Sequence, residues 1–228
     1  RMKLYKYDAD PTLIKETLYA MYYSKTINRL ESLKGEDGFK FLFDDKVVIN
    51  GKLYNSLNYV TNNLVNILEK WDVFNLQNLN VIHGDLCLPN LFYDFRNTGF
   101  KMIDPRGSFG KFDMYGDYRY EYAKLRHSVC GYYDFIINNL FEISIDESKK
   151  SICYSIYSSK KHDDICKVFN EKLESSMGKN TCQSIKLIES LLFLSMAPLH
   201  SDNICRQYLM LSLGIIKFNE VCSYGDSL

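Results

Sequence analysis

A chain of 228 residues, 46% of them hydrophobic, can bury the core of one domain or slightly more without disulfides. Lysine plus arginine and aspartate plus glutamate both number 28, and a formal charge of zero excludes the broad basic footprint of a nucleic-acid or anionic-membrane binder. The seven cysteines include no CxxC pair, so neither a zinc site nor a disulfide framework is supported, and a reduced, cytoplasmic protein is expected.

Residues 1–9 carry no structural signal and no signal-peptide pattern. Asp10-Pro11 reads as an N-cap with proline at the first helical position, opening a helix to about Leu33 with Leu13, Thr17, Ala20, Ile27 and Leu30 near one face. Gly35 to Gly38 ends it. Phe39–Phe43 and Lys46–Ile49 are short extended candidates, and Asn50-Gly51 is a turn signal before Lys52-Leu53-Tyr54. Residues 56–70 predict a second helix, because Leu57, Val60, Leu64, Ile67, Leu68 and Trp71 recur at helical spacing as a core stripe. Tyr118–Leu140 reads as one helix with Tyr122, Leu125, Val129, Tyr132, Ile136 and Leu140 as apolar rows. On it, His127 and Cys130 stand three apart, too few ligands for a metal site. Residues 143–159 are ambiguous. Residues 162–177 look helical, with Gly178 as the stop; Asn180 caps a helix through Met196 that Pro198 ends, and Asn203 caps a last helix through Phe218. The most apolar run, Leu187 to Leu199, contains Glu189 and Pro198 and is too short to span a bilayer, so no membrane insertion is expected. The fold class expected is α+β, mostly α, with one essential β-hairpin.

That hairpin belongs to the stretch Val81-Ile82-His83-Gly84-Asp85-Leu86-Cys87-Leu88-Pro89-Asn90 and the Asp104 that follows it. Leu91-Phe92-Tyr93 and Phe100-Lys101-Met102-Ile103 are strand candidates flanking the turn residues Asp94 to Gly99. A hairpin centred on Asn97 sets residue 91 opposite 103 and 90 opposite 104. It brings the Asn90 amide and the Asp104 carboxylate to one open end beside Asp85, a hard-oxygen set suited to Mg²⁺ with positions left for phosphate oxygens.

The layout resembles the catalytic and metal-binding loops of the kinase fold, H-x-D-x-x-x-x-N followed by a strand pair and an Asp. Gly84 resembles the aminoglycoside phosphotransferase and choline kinase branch, where His-Gly-Asp replaces His-Arg-Asp. Ile103-Asp104-Pro105-Arg106-Gly107-Ser108-Phe109-Gly110, the run Gly116 to Leu125, and His127-Ser128 look like a bacterial subgroup of that superfamily. Its members often accompany sugar nucleotidyltransferases in surface-polysaccharide or capsule pathways. The resemblance is strong over roughly residues 81–137. It implies the large, C-terminal lobe of a protein-kinase-like fold: residues 1–80 as helices before the catalytic loop, 81–117 as catalytic and metal-binding loops, 118–228 as a helical subdomain. It implies an ATP- and Mg²⁺-dependent kinase of a small-molecule hydroxyl acceptor. Asp85 would orient that hydroxyl and take its proton, with His83 buttressing the loop. Asn90 and Asp104 would hold the metal that bridges the phosphates. Asp117 would support the catalytic loop from the following helix, and Glu121 stands where relatives carry Asp. Arg106 would either meet a phosphate or substrate anion or brace the loop.

The small β-rich lobe that such kinases place first is not legible here. No Gly-x-Gly-x-x-Gly occurs and no strand-borne Lys pairs with a helical Glu. The chain, which begins at Arg1, therefore reads as a fragment with an upstream lobe, or a fused nucleotidyltransferase domain, as its missing partner. In isolation it is expected to bind MgATP weakly and turn over little. A non-catalytic module on the same fold is the alternative; a protein kinase is disfavoured by Gly84 and by the lack of an Ala-Pro-Glu signature. For acceptor selection, Glu189, His200, Asp202 and Tyr208 are the candidates from the late helices. An aromatic cage for a choline-type cation is compatible with 18 tyrosines but not singled out by their positions.

Overall fold

The computed structural model describes residues 5–226, so residues 1–4, where the Arg1 start and part of the unassigned N-terminus fall, lie outside the described residues. The chain is α+β and mostly helical. A short strand β1 (Lys6–Tyr7) precedes a continuous rod: α1 (Pro11–Leu18), a π-helical turn over Tyr19–Ser24, then α2 (Lys25–Lys34). Asp10 caps α1, its Oδ1 accepting Thr12 N–H at 2.7 Å. The buried positions Ile14, Leu18, Tyr22, Thr26 and Leu30 recur every four residues. A 3.6-residue helix would rotate that row off the core, and the wider π turn absorbs the drift.

Asp37–Phe43 is a 3₁₀ helix, not the extended segment expected over 39–43. Phe39, Phe41, Leu42 and Phe43 are all buried, which a strand with alternating faces would not allow. β2 (Lys46–Ile49) and β3 (Lys52–Asn55) form the expected hairpin, with Asn50 and Gly51 both at positive φ (49° and 75°), as a type I′ turn requires. α3 (Leu57–Lys70) buries Leu57, Val60, Leu64 and Leu68. β4 (Leu79–Val81) leads into the 83–90 loop, and β5 (Leu91–Asp94) pairs with β6 (Gly99–Met102). β7 (Tyr115–Gly116) joins β4 and β1 in a small sheet ordered β1-β4-β7.

The helix expected over 118–140 is broken into α4 (Tyr118–Val129) and α5 (Tyr133–Ile137). A Cβ on Gly131 would sit 2.7 Å from the Phe193 ring, and Tyr132 turns the chain at φ 57°. A disulfide, Cys130–Cys166, ties this corner to the helix α6 described next. It corrects the expectation of none, since a bridge joining one distant pair leaves no local spacing motif. The ambiguous 143–159 segment is a hairpin, β8 (Phe141–Asp146) with β9 (Ser151–Ile156), and β9 runs parallel to β2, giving a sheet ordered β3-β2-β9-β8.

α6 (Lys160–Met177) ends at Gly178, and α7 (Lys179–Met196) starts directly after it, so Gly178 rather than Asn180 is the N-cap. α8 (Ile204–Asp226) runs past Phe218, with Asn203 Oδ1 accepting Arg206 N–H at 3.1 Å. α7 is buried around nearly its whole circumference and packs against α8 where Gly214 lets Leu194 approach; a Cβ there would lie 2.6 Å from Leu194 Cγ. Lys179–His200 is long and apolar enough to cross a membrane by length and composition, contrary to the shorter run expected, and 78% of its apolar window is buried inside the fold.

Candidate functional site

The 83–90 loop is held by backbone bonds to side chains and carbonyls around it. His83 N–H and Gly84 N–H donate to the two carboxylate oxygens of Glu121 at 2.8 and 2.7 Å. The His83 carbonyl accepts Arg106 N–H at 2.8 Å. His83 Nε2 lies 2.8 Å from the Ile103 carbonyl, which only accepts, so Nε2 carries the proton and Nδ1 faces Asp85 N–H at 3.4 Å. Asn90 Nδ2 donates to the Asp85 carbonyl at 2.9 Å, and Leu88 N–H donates to Ser128 Oγ at 3.0 Å. Burial pushes the Glu121 carboxyl above its ordinary range, and the two N–H donors oppose that shift by stabilising the anion.

Loop support therefore comes from Glu121, not from Asp117 as expected. Asp117 is fully buried and caps α4, accepting Tyr22 O–H at 2.9 Å and the Arg119 guanidinium at 2.8 Å. Arg119 continues to the carbonyls of Asp72 and Val73, so Asp117 pins the start of α4 to the α1–α2 rod and to the turn after α3. Asp117 keeps Arg119 charged against the pull of burial.

The β5–β6 register is slipped by one residue from expectation. Leu91 faces Met102, and Ile103 N–H donates to the Asn90 carbonyl at 3.1 Å, so Asn90 opposes 103 and not 104. The cause lies in the turn, where Asp94 Oδ1 accepts the N–H groups of Arg96 and Asn97 and closes a four-residue loop. Asp104 then leaves the hairpin at φ 57°, its side chain exposed. The structure thus joins His83, Asp85, Asn90 and Arg106 in one bonded loop cluster, with Asp104 adjoining through Ile103.

For a divalent ion, Asn90 and Asp104 are the oxygen donors to consider. Asn90 spends its Nδ2 on the Asp85 carbonyl, which leaves Oδ1 as a donor, and the Asp104 carboxylate is exposed, although the slipped register sets Asn90 opposite Ile103 and not opposite Asp104 as expected. Among the described residues no group of three or more His, Cys, Asp and Glu side chains forms a metal cluster. Two hard oxygens fit an ion that takes its remaining ligands from phosphate and water.

Asp85 also opens onto a cavity of about 340 Å³ between α2, α4, α5 and the end of α7. Its polar wall is Lys25, Arg29, Asp85, Arg106, Tyr120 and Lys124; Cys87, Tyr133, Leu192, Met196 and Leu199 complete it. Lys124 Nζ is 2.7 Å from Asp85 Oδ1. Burial, and then the charges of Arg29, Arg106 and Lys124, lower Lys25 from 10.5 to about 8. None of the four expected acceptor-selecting residues lines this cavity. Glu189 is buried between Arg126 and Lys217, Tyr208 donates its O–H to the Gly38 carbonyl, Asp202 pairs with Arg206, and the His200 ring stands 6.3 Å from Tyr133 without reaching the cavity. Glu189 and Tyr208 sit on buried helices and take internal partners, the ordinary fate of a polar group there, whereas Asp202 forms an exposed pair in the turn before α8.

Sequence reasoning missed Lys124, Lys25, Arg29 and the role of Glu121. The signal was present on α4, where Glu121, Lys124 and Ser128 fall at i, i+3 and i+7 and form one polar row facing the loop. Compared with known proteins, the chain matches no family model, no curated protein and no solved structure.

Proposed function

We propose that the chain carries the acceptor and metal half of an ATP-dependent phosphotransferase acting on a small-molecule hydroxyl. The observation that supports this best is the fixed loop, which holds the Asp85 carboxylate at the edge of a cavity of about 340 Å³ through backbone bonds to Glu121, Arg106 and Asn90. Phosphoryl transfer needs an aligned hydroxyl and compensated charge more than covalent catalysis. In this reading an acceptor O–H in the cavity gives its proton to Asp85 as its oxygen bonds the γ-phosphorus, and the bond to the β-phosphate oxygen breaks to release ADP. Mg²⁺, when bound by Asn90 and Asp104, supplies neutralisation of phosphate charge. His83 does not react; its Nε2–H fixes the loop to Ile103. The resemblance to the aminoglycoside phosphotransferase and choline kinase branch supports the same roles, and it alone supports a place in surface-polysaccharide or capsule assembly.

A second reading, a binding module without turnover, draws on the Lys124–Asp85 ion pair, which occupies a carboxylate oxygen that an acceptor hydroxyl would need. Transfer of labelled γ-phosphate from ATP to a panel of sugars, polyols and amino alcohols, measured on the full-length protein, separates the two. Asp85→Asn should abolish transfer while the variant stays folded, with a melting point lowered by loss of the ion pair to the buried Lys124; equal, non-zero transfer by the variant and the parent would sink the phosphotransferase reading.

A further inference from the structure

The wall of the Asp85 cavity carries four cations and one carboxylate. Lys25 and Arg29 project from successive turns of α2, Arg106 from the loop after β6, and Lys124 from α4. Among the described residues Asp85 pairs with Lys124 only, at 2.7 Å. Arg29 Nη1 donates to the Ser195 carbonyl and Arg106 Nη1 to Tyr120 Oη, both neutral acceptors. Lys25 has no carboxylate partner among the described residues, and its strongest charge neighbours are the other three cations. Like charges gathered on a half-buried wall are costly unless something negative joins them. The facing wall of Leu192, Met196 and Leu199 is apolar and suits a carbon skeleton.

We infer that this cavity binds a polyhydroxylated small molecule bearing its own anionic group, a phosphate monoester or a carboxylate, with the anion held by Lys25, Arg29 and Arg106 and a hydroxyl directed to Asp85. Cationic acceptors such as amino sugars and choline are excluded by the same charges. The fate of that hydroxyl rests on the phosphotransferase reading; binding of the anion does not.

Calorimetric titration of the chain at pH 7, without nucleotide, tests it with glucose 6-phosphate, glucuronate, glucose and glucosamine as probes. One or both anions should bind at least tenfold more tightly than glucose, and glucosamine most weakly; which anion leads identifies phosphate or carboxylate as the group. Lys25→Gln and Arg29→Gln should each weaken the preferred anion about tenfold, the worth of one charge-assisted hydrogen bond, and leave glucose unaffected. Arg29 is bonded at the surface of the core, so its variant keeps the test available if Lys25→Gln fails to fold. Equal binding of glucose and both anions, tighter binding of glucosamine, or anion binding indifferent to both substitutions would overturn the inference. So would competitive displacement of the anion by ATP with the same Lys25 dependence, which would assign the cations to nucleotide phosphates. Asp85→Asn should retain or tighten anion binding, and its loss there would also overturn the proposal. Transfer persisting in Asp85→Asn while anion binding is retained would remove the phosphotransferase reading and leave the anion site standing.

Discussion

Lys124 Nζ lies 2.7 Å from Asp85 Oδ1, and the two partners differ sharply in exposure, the lysine side chain at 7% and the aspartate at 42%. Breaking the pair is therefore asymmetric. Asp85→Ala strands a buried ammonium and should destabilise the fold by about 1–3 kcal/mol, whereas Lys124→Met leaves a carboxylate that water can reach and should cost less than about 1 kcal/mol. Joining both changes should recover part of the first loss. Urea unfolding of the three variants checks this, and a larger loss for Lys124→Met would contradict the asymmetry.

Glu121 is the structural key of the loop, because both of its oxygens accept buried backbone N–H groups. Glu121→Ala leaves those donors unpaired, at a cost of about 2–4 kcal/mol. Glu121→Gln keeps one acceptor and should lose roughly half as much. Amide exchange resolves the cause: protection should fall at His83 and Gly84 before it falls in α7. Uniform loss of protection would mean that Glu121 acts on global stability alone.

How far the sequence spoke depends on where each signal resides. Asn50-Gly51, Asp10-Pro11 and the α3 stripe are local, and each folds as its turn chemistry or periodicity dictates. The Tyr118–Leu140 periodicity was equally regular, yet Gly131 yields to the Phe193 ring, a neighbour from α7 that no local window contains. The catalytic-type loop was legible as Asp85, Asn90 and Asp104, but its register turned on how Asp94 folds back on Arg96 and Asn97. The cationic wall was least legible. Lys25 and Arg29 sit on a helix that reads as core scaffold, and only the fold sets them opposite Asp85 and Lys124.

Gly84 sits at φ +79°, and a Cβ there would fall 2.9 Å from Arg106 Cβ. Gly84→Ala thus meets both a left-handed backbone and a clash with the residue whose N–H holds the loop. The conformational part costs about 1–2 kcal/mol, a drop of roughly 2–8 °C in Tm for a chain of this size. Glucose 6-phosphate binding should weaken in step, since Arg106 must move. A variant with an unchanged melting temperature would show that the loop tolerates the side chain.

Burial and the charges of Arg29, Arg106 and Lys124 lower Lys25 to about 8; Asp85, Cys87, Tyr120 and Tyr133 are the other titratable groups facing the cavity. An anion binds the protonated form best, so its affinity should be full below pH 8 and fall as pH rises through 8. Without ligand the sign reverses. The folded chain binds fewer protons here than the unfolded one between about 8 and the ordinary 10.5, so this group makes stability rise with pH across that window. Lys25→Arg, charged throughout, should flatten the affinity profile. A parent profile already flat from pH 7 to 9 would rule out Lys25 as the titrating contact.

The metal assignment separates into two residues with different second roles. Asp104 has an exposed carboxylate and no ion-pair partner among the described residues, so its proposed contribution is a ligand oxygen alone. Asn90 contributes an oxygen and also tethers the Asp85 carbonyl through Nδ2 at 2.9 Å. Mn²⁺, which shares the preference for oxygen ligands and is visible by electron paramagnetic resonance, reads both. Asp104→Ala should weaken Mn²⁺–ATP binding by at least tenfold and leave the melting curve unchanged. Asn90→Asp should keep or strengthen that binding, because a carboxylate oxygen replaces an amide oxygen. It should nevertheless lower transfer, since the aspartate cannot donate to the Asp85 carbonyl and the loop loses that tie. Superimposable Mn²⁺ titrations for the parent and Asp104→Ala would remove Asp104 from the metal set. Unimpaired transfer by Asn90→Asp would show that the tether to Asp85 is not what positions the carboxylate.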